Sequence, residues 1–289
     1  PFIAISDLAF VNLKGTILDS SGDVKNCSDP TKCYASRMPE YIADNILNAG
    51  FDIFSVANNH VNDFGIPGRE NTSEYLQKHQ KHFAGLLEKP YEIFDHDSLK
   101  IGFTAFSPNT GTNSINDLSG AKKLVSMLSD SADIVIVSFH GGAEGSKHEH
   151  IPRKTEIFYG ENRGNVYQFA REMIDSGADL ILGHGPHVTR AVDVYNGRFI
   201  AYSLGNFNTY GRFNLRGPNG IAPLVMINIK PNGEFVNARV ISTKQTGAGI
   251  TRLDFDHQAF KKLEKLTRED IPEAGLKFDN GIIEQIQNN

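Results

Sequence analysis

Nothing in this sequence approaches the roughly 20 consecutive apolar residues that a membrane-spanning helix requires. A long basic stripe is also missing, and the formal net charge is -5, which argues against nucleic acid or an anionic membrane as the main partner. No internal repeat and no low-complexity segment occurs, which excludes a solenoid. Cysteine is scarce: only Cys27 and Cys33 are present, in a Ser/Asp/Pro-rich stretch. Two thiols cannot complete a structural zinc site by themselves. Their close spacing in a polar loop suits a small disulfide loop formed in an oxidising compartment, and suits two free thiols equally well. The first residue is Pro1, and nothing there resembles a signal peptide. The sequence therefore reads as a mature or truncated chain whose targeting segment lies out of view.

What remains is ordinary for a globular protein. With 39% hydrophobic and 22% charged residues in 289, the chain can bury a substantial core without disulfide or metal staples. Residues 2–13 read as a buried strand, and residues 19–39 as a turn-rich surface excursion. Pro39 then starts a helix that Gly50 stops. Strands at 51–56, 100–106, 132–139 and 180–182 alternate with helices near 73–84 and 121–128. Val166, Phe169, Ala170, Met173 and Ile174 form the apolar stripe of a further packed helix. Such alternation predicts a layered α/β sheet. After about residue 188 the pattern turns β-rich, with a hairpin about Asn196-Gly197 and strands at 224–229 and 235–241. An amphipathic tail closes the chain. The division expected is a main domain over 1–255 and a short helical tail over 256–289 that packs on it.

The polar chemistry collects just after three of these strands. Ala57-Asn58-Asn59-His60 follows the first, His140-Gly141-Gly142-Ala143-Glu144 the second, and Gly183-His184-Gly185-Pro186-His187 the third. Ligand sites in open α/β sheets lie outside the carboxyl ends of strands, so the three clusters can converge. Imidazoles suit zinc, iron, manganese or nickel, and an asparagine oxygen adds a harder ligand. Asn-Asn-His alone suits hydrogen-bonded turn chemistry, whereas Gly-His-Gly-Pro-His is rarer and points to function; the three clusters together point to a site. His79, His82 and His96 lie in polar surface sequence, and His148 and His150 in a loop able to cover the site.

Phe10-Val11-Asn12-Leu13, Ala57 to His60, His140 to Glu144, and the stretch Gly177 to Phe207 resemble the CapA (PGA_cap) family of poly-γ-glutamate capsule-biosynthesis proteins. The resemblance extends over roughly residues 1 to 230. It implies a metallophosphatase-like two-sheet α/β/β/α sandwich, similar to the calcineurin-like phosphoesterases, with a site for one or two divalent ions (zinc, manganese or iron). By position, Asn59, His140 and His184 match ligands of one metal and His187 a ligand of the other. His60 matches the histidine that assists the leaving group, and Glu144 would be second to the ligands or face the substrate. Asn206, in a further family segment, and Asn12, in the Asn-Leu motif, are expected with Lys14 and Arg153 to bind substrate. Two departures stand out. The Gly-Asp strand that the family carries upstream is absent, so the chain is N-terminally truncated relative to the family. Lys14 also replaces the usual glutamate, and its positive charge near any metal would oppose a second cation, leaving a single-metal or a metal-free site, with one ion favoured over two. Gly185 stands where a histidine is commoner.

These features imply a metal-dependent phosphoesterase-type hydrolase working outside the cytoplasm in capsule or cell-envelope polymer biosynthesis, alongside membrane-bound capsule synthase components. The rival expectation is a catalytically weakened binding or assembly protein, with Lys14, Arg153 and Lys154 holding an anionic polymer. Hydrolysis of a γ-glutamyl amide is a third. The sequence does not separate them.

Overall fold

The computed structural model describes residues 2–26, 34–209, 211 and 213–286. Cys27 and Cys33, and the disulfide considered for them, lie outside the described residues. The chain runs β1 (Phe10–Asn12), β2 (Thr16–Ile17), β3 (Arg37–Met38), α1 (Glu40–Asn48), β4 (Ile53–Ser55), α2 (Gly65–Lys78) and β5 (His82–Ala84). It continues through β6 (Tyr91–His96), β7 (Leu99–Phe106), α3 (Leu118–Ser129), β8 (Ile134–His140), β9 (Ile157–Phe158), β10 (Glu161–Asn162), α4 (Val166–Asp175) and β11 (Leu180–His184). The second half holds β12 (Val192–Tyr195), β13 (Arg198–Ala201), β14 (Ile221–Ile229), β15 (Phe235–Thr246) and β16 (Ile250–Leu253). Helix α5 (Gln258–Asp270) and the strands β17 (Leu276–Asp279) and β18 (Ile282–Gln285) complete it.

A six-stranded sheet in the order β12-β13-β11-β8-β7-β6 forms the centre. Its strand β8 is buried along its whole length, as its unbroken apolar sequence requires of a strand covered on both faces. Because side chains alternate along a strand, Phe103 and Phe106 of β7 point to opposite faces. Phe106 meets Phe169 of α4 edge-on at 5.2 Å, on the side covered by α3 and α4. Phe103 meets Phe10 of β1 at 6.0 Å, on the other. There the three-stranded parallel sheet β1-β4-β5 lies, and its own alternation divides two cores. Ile53 joins the central core, whereas Phe54 packs with Ala43, Tyr75 and Leu76 of α1 and α2. The order helices, sheet, sheet, helices expected from the sequence is the one observed. The apolar stripe of α4 is buried as expected, and Asn165 caps that helix through the Gln168 N–H.

Three elements differ from the sequence reading. Residues 2–13 are not one strand: Ile3–Ile5 form a 3-10 turn, and only Phe10–Asn12 pair. Strand β4 offers a partner register for those three residues alone. The helix expected near 73–84 starts at Gly65 and ends at Lys78, because Gln80 turns left-handed and sends His82–Ala84 into a parallel pairing with β4. The tail is helical only in α5. Beyond it, Leu276 and Phe278 are buried while Lys277 and Asp279 are exposed, a period of two. Strands β17 and β18 accordingly form a hairpin, and β18 pairs with β15 to extend an antiparallel sheet.

Phe260, Leu263 and Leu266 of α5 enter the central core. Truncating the fully buried Leu263 to alanine is expected to lower stability by about 2–5 kcal/mol, the cost of a buried leucine plus its cavity. Urea denaturation measures it, and a loss below about 1 kcal/mol would show the tail helix to be loosely attached.

Candidate functional site

The parallel pairing of β8 with β11 sets His140 directly beside His184, the last residues of both strands. The ladder continues one bond further, with the Gly141 N–H donating to the His184 carbonyl at 2.9 Å. This close approach depends on glycine. Gly185 has φ +122°, and a Cβ there would lie 2.4 Å from the Gly141 carbonyl oxygen. His187 follows in the left-handed region at φ +60°, which turns its ring back toward the centre. From the neighbouring sheet, β1 delivers Asn12 and Lys14, and the turn after β4 delivers Asn58, Asn59 and His60. The two edges meet where Lys14 Nζ donates to His187 Nε2 at 2.5 Å.

That contact fixes a tautomer. An ammonium only donates, so His187 Nε2 accepts, and its Nδ1–H donates to Asn206 Oδ1 at 2.7 Å. Glu144 Oε2 lies 3.8 Å from the same Nε2. Asn12 Oδ1 accepts from Asn58 at 3.3 Å, and Asn58 also donates to the Leu13 carbonyl, which locks the β1 end against the Asn-Asn-His turn. The structure directs Arg153 elsewhere. Its guanidinium lies over Tyr167 and pairs with Glu273 at the tail.

Several residues at the centre were not singled out in the sequence. Asp63 Oδ2 accepts from His60 Nδ1 at 2.6 Å and from the Ser36 N–H at 2.6 Å. The signal was present, since Asp63 stands three residues beyond His60 in one turn. Arg163 reaches in from the loop after β10, with Nη2 2.9 Å from Glu144 Oε1 and 3.4 Å from His140 Nε2. No local pattern marks it. The fully buried Arg190 pairs with Glu156 through both oxygens at 2.8 Å and also donates to the His148 carbonyl. This bidentate pair anchors the loop that carries Glu144 and Arg163.

Burial sets the charge states. It draws His184 down to about 3 and His187 to about 4, with the Lys14 charge adding to both. Burial also holds His140 well below the usual imidazole range, again helped by Lys14 and then Arg163. The histidines are therefore neutral, with lone pairs to offer. Lys14 is drawn down to about 8 by burial, against the pull of Glu144. Burial lowers His60 too, although Asp63 opposes it. For Asp63 burial acts upward, and its hydrogen bonds with His60, Lys25 and Ser36 outweigh it and hold the carboxyl low.

Whether these residues fit a divalent ion is tested by their unpaired atoms. Asn59 Oδ1, His140 Nδ1 and His184 Nε2 are buried side-chain atoms without a hydrogen-bond partner. A buried polar atom without a partner is costly unless a ligand completes it. Asn59 and His184 fit directly. His140 fits once its proton moves to Nε2, which sets its contact with Arg163 against cation binding. His187 has both nitrogens engaged, one by an ammonium, so the residues present fit one ion and not two. Among the described residues no group of three His, Cys, Asp or Glu side chains is arranged to hold a metal, so an ion here would rest on two histidines and an amide oxygen.

The family described as "Bacterial capsule synthesis protein PGA_cap" matches residues 1–210. The capsule biosynthesis protein CapA of Bacillus anthracis is 27% identical over 226 residues, 72% of this chain and 51% of that protein. The PGA biosynthesis protein CapA of Bacillus subtilis (strain 168) is 33% identical over 182 residues, 56% of this chain and 43% of that protein. The chain thus spans about half the length of the curated relatives it matches. Among solved structures, the sulfate thiohydrolase SoxB of Thermus thermophilus, in complex with glycerol, superposes with a TM-score of 0.40 and 14% identity. That superposition covers 82% of this chain and 40% of SoxB.

Neutral buried histidines carry a pH signature. In the unfolded chain they titrate near the ordinary value of about 6.5, so below it the unfolded state binds more protons than the folded one. Stability conferred by His184 and His187 is present above about pH 6.5 and is lost as pH falls toward about 3. The urea midpoint in chelator should therefore drop between about pH 7 and about pH 5, and His184→Gln should make the drop shallower. An unchanged slope in the variant would show that His184 is not buried neutral.

Proposed function

Since this chain belongs to the bacterial capsule synthesis protein PGA_cap family, we propose that it is a metal-dependent hydrolase of the phosphoesterase type. It acts outside the cytoplasm in capsule or cell-envelope polymer biosynthesis. The observation that carries this reading is the coincidence of unpaired atoms with the family's ligand positions at Asn59, His140 and His184. A divalent ion held there supplies Lewis acidity toward a phosphoryl or carbonyl oxygen.

The remaining work falls to the chain's own residues. His60 presents Nε2 to the leaving oxygen, because its Nδ1–H is committed to Asp63. Asp63 fixes the ring's orientation and stabilises the imidazolium while a proton is held there. Lys14 supplies a cation beside His187 in place of a second metal, within reach of the charge that develops during hydrolysis. The Arg190–Glu156 pair keeps the Glu144 loop in position from beneath. Its substrates are an anionic polymer or a phosphoester, with a γ-glutamyl amide open to the same chemistry, and its partners are membrane-bound capsule synthase components. Among the described residues no helix is long and apolar enough to cross a membrane.

A second reading has its own observation. Arg163 is a buried cation and Lys14 a half-buried one beside the histidines, and they can hold an anion whether or not turnover follows. A binding or assembly role in polymer synthesis or export would use them alone.

Elemental analysis and turnover distinguish the two. The hydrolase reading expects about one divalent ion per chain, lost in an Asn59→Ala/His184→Ala variant. His60→Ala should keep the metal while lowering kcat on phosphoester or γ-glutamyl amide probes by about 10²- to 10⁴-fold. A chain that takes up no metal on reconstitution, or whose turnover ignores His60, leaves only the binding role.

A further inference from the structure

Glu144 is the one carboxylate in a charged trio with Arg163 and Lys14. Arg163 is held by its backbone on both sides: its N–H donates to the Glu156 carbonyl at 2.8 Å, and its own carbonyl accepts from the Gly142 N–H at 2.8 Å. Its side chain is 3% exposed, and its Nε is buried without a partner. Lys14 is half-buried and fastened to His187. Glu144 is different. Its side chain is 24% exposed, and it lies between Gly142 and Gly145, which have φ +81° and +95°. Its backbone is held, the Gly145 N–H donating to the Pro186 carbonyl at 2.8 Å and the Ala143 N–H to Glu156 Oε2 at 3.0 Å, so it is the side chain alone that can leave.

The carboxylate of Glu144 pairs with one of the two cations and acts on the other through space. Oε1 accepts from Arg163 at 2.9 Å, and Oε2 approaches the nitrogen of His187 that Lys14 holds. A buried guanidinium stripped of its carboxylate, with a second cation nearby, would be costly, so when Glu144 leaves, another anion must replace it. The planar fork of the guanidinium suits paired oxygens, as a carboxylate or a phosphate provides.

We propose that Lys14 and Arg163 form a fixed clamp for one anionic group of the substrate, and that Glu144 is an internal carboxylate that fills the clamp until the substrate displaces it. The clamp rests on the reading of the histidine centre as the substrate site, but it needs neither metal nor turnover. It makes Glu144 a competitor of the substrate rather than a catalytic acid or base.

Calorimetric titration of the chelator-treated chain with glutarate, and separately with inorganic phosphate, tests this. Removing the charge of Glu144 with Glu144→Gln should tighten binding by at least about tenfold, and Arg163→Met should weaken it at least as much. Arg163→Met removes a buried cation and can fail to fold; Glu144→Gln changes a partly exposed group and keeps the test decisive. Preference for glutarate or for phosphate identifies which anion the clamp is shaped for. If Glu144→Gln binds both anions no more tightly than the parent chain, or neither anion at all, the clamp is overturned. Working without metal separates this outcome from the hydrolase reading: anion binding can fail while metal uptake and turnover persist, and the reverse.

Discussion

The in-register parallel pairing of β8 with β11 is the constraint from which the site follows. It ends on two histidines side by side and then forces the chain to pass Gly141 against His184 and Gly185. A side chain at Gly185 would collide with backbone rather than with a flexible group, so the neighbour could not yield. Gly183 is confined in the same way, since a Cβ there would lie 2.4 Å from the Phe139 ring and 2.6 Å from two carbonyl oxygens. The glycines therefore serve the approach of two strand ends, and that approach brings the imidazoles together in a place largely withdrawn from water, His140 wholly and His184 and His187 in part.

Dryness then decides the chemistry. In water these histidines would titrate near neutrality; buried beside Lys14 they stay neutral and keep their lone pairs. The same burial lowers Lys14 and makes every nearby charge costly unless paired. The chain answers with linked pairs: Lys14 with His187, Arg163 with Glu144, His60 with Asp63, Arg190 with Glu156. Breaking one member leaves a buried partner exposed to the full desolvation cost, which is why these groups act as a unit.

Much of this was legible in the sequence because it was written in local patterns. The α4 stripe, the Asn196-Gly197 hairpin and the polar clusters after β4, β8 and β11 each occupy a few consecutive residues. What escaped was non-local or short. Arg163 reaches the site from a loop 19 residues beyond Glu144, and nothing around it has a periodic signature. Arg190 looks like a surface charge until its partner Glu156, 34 residues earlier, is brought under it. Strands β17 and β18 are four residues each, too short for alternation to stand out beside the helical pattern before them. Arg153, grouped with Lys14 by its charge, is drawn away by Glu273 because the tail folds back over that loop.

The β-rich second half has a physical connection to the centre, beyond covering the core. Gln245 of β15 donates to the Asn206 carbonyl at 2.8 Å, while its oxygen accepts from the Thr209 backbone and hydroxyl. Asn206 donates to the Asn219 carbonyl and accepts from His187, which accepts from Lys14. Each member is polar and each contact is a hydrogen bond, so the orientation of the His187 ring is set from the antiparallel sheet on one side and from β1 on the other. Because His187 can donate from only one nitrogen while neutral, the amide of Asn206 and the ammonium of Lys14 together choose its tautomer. The antiparallel sheet, extended by the tail strands, is thereby part of what holds the cation at Lys14 in place.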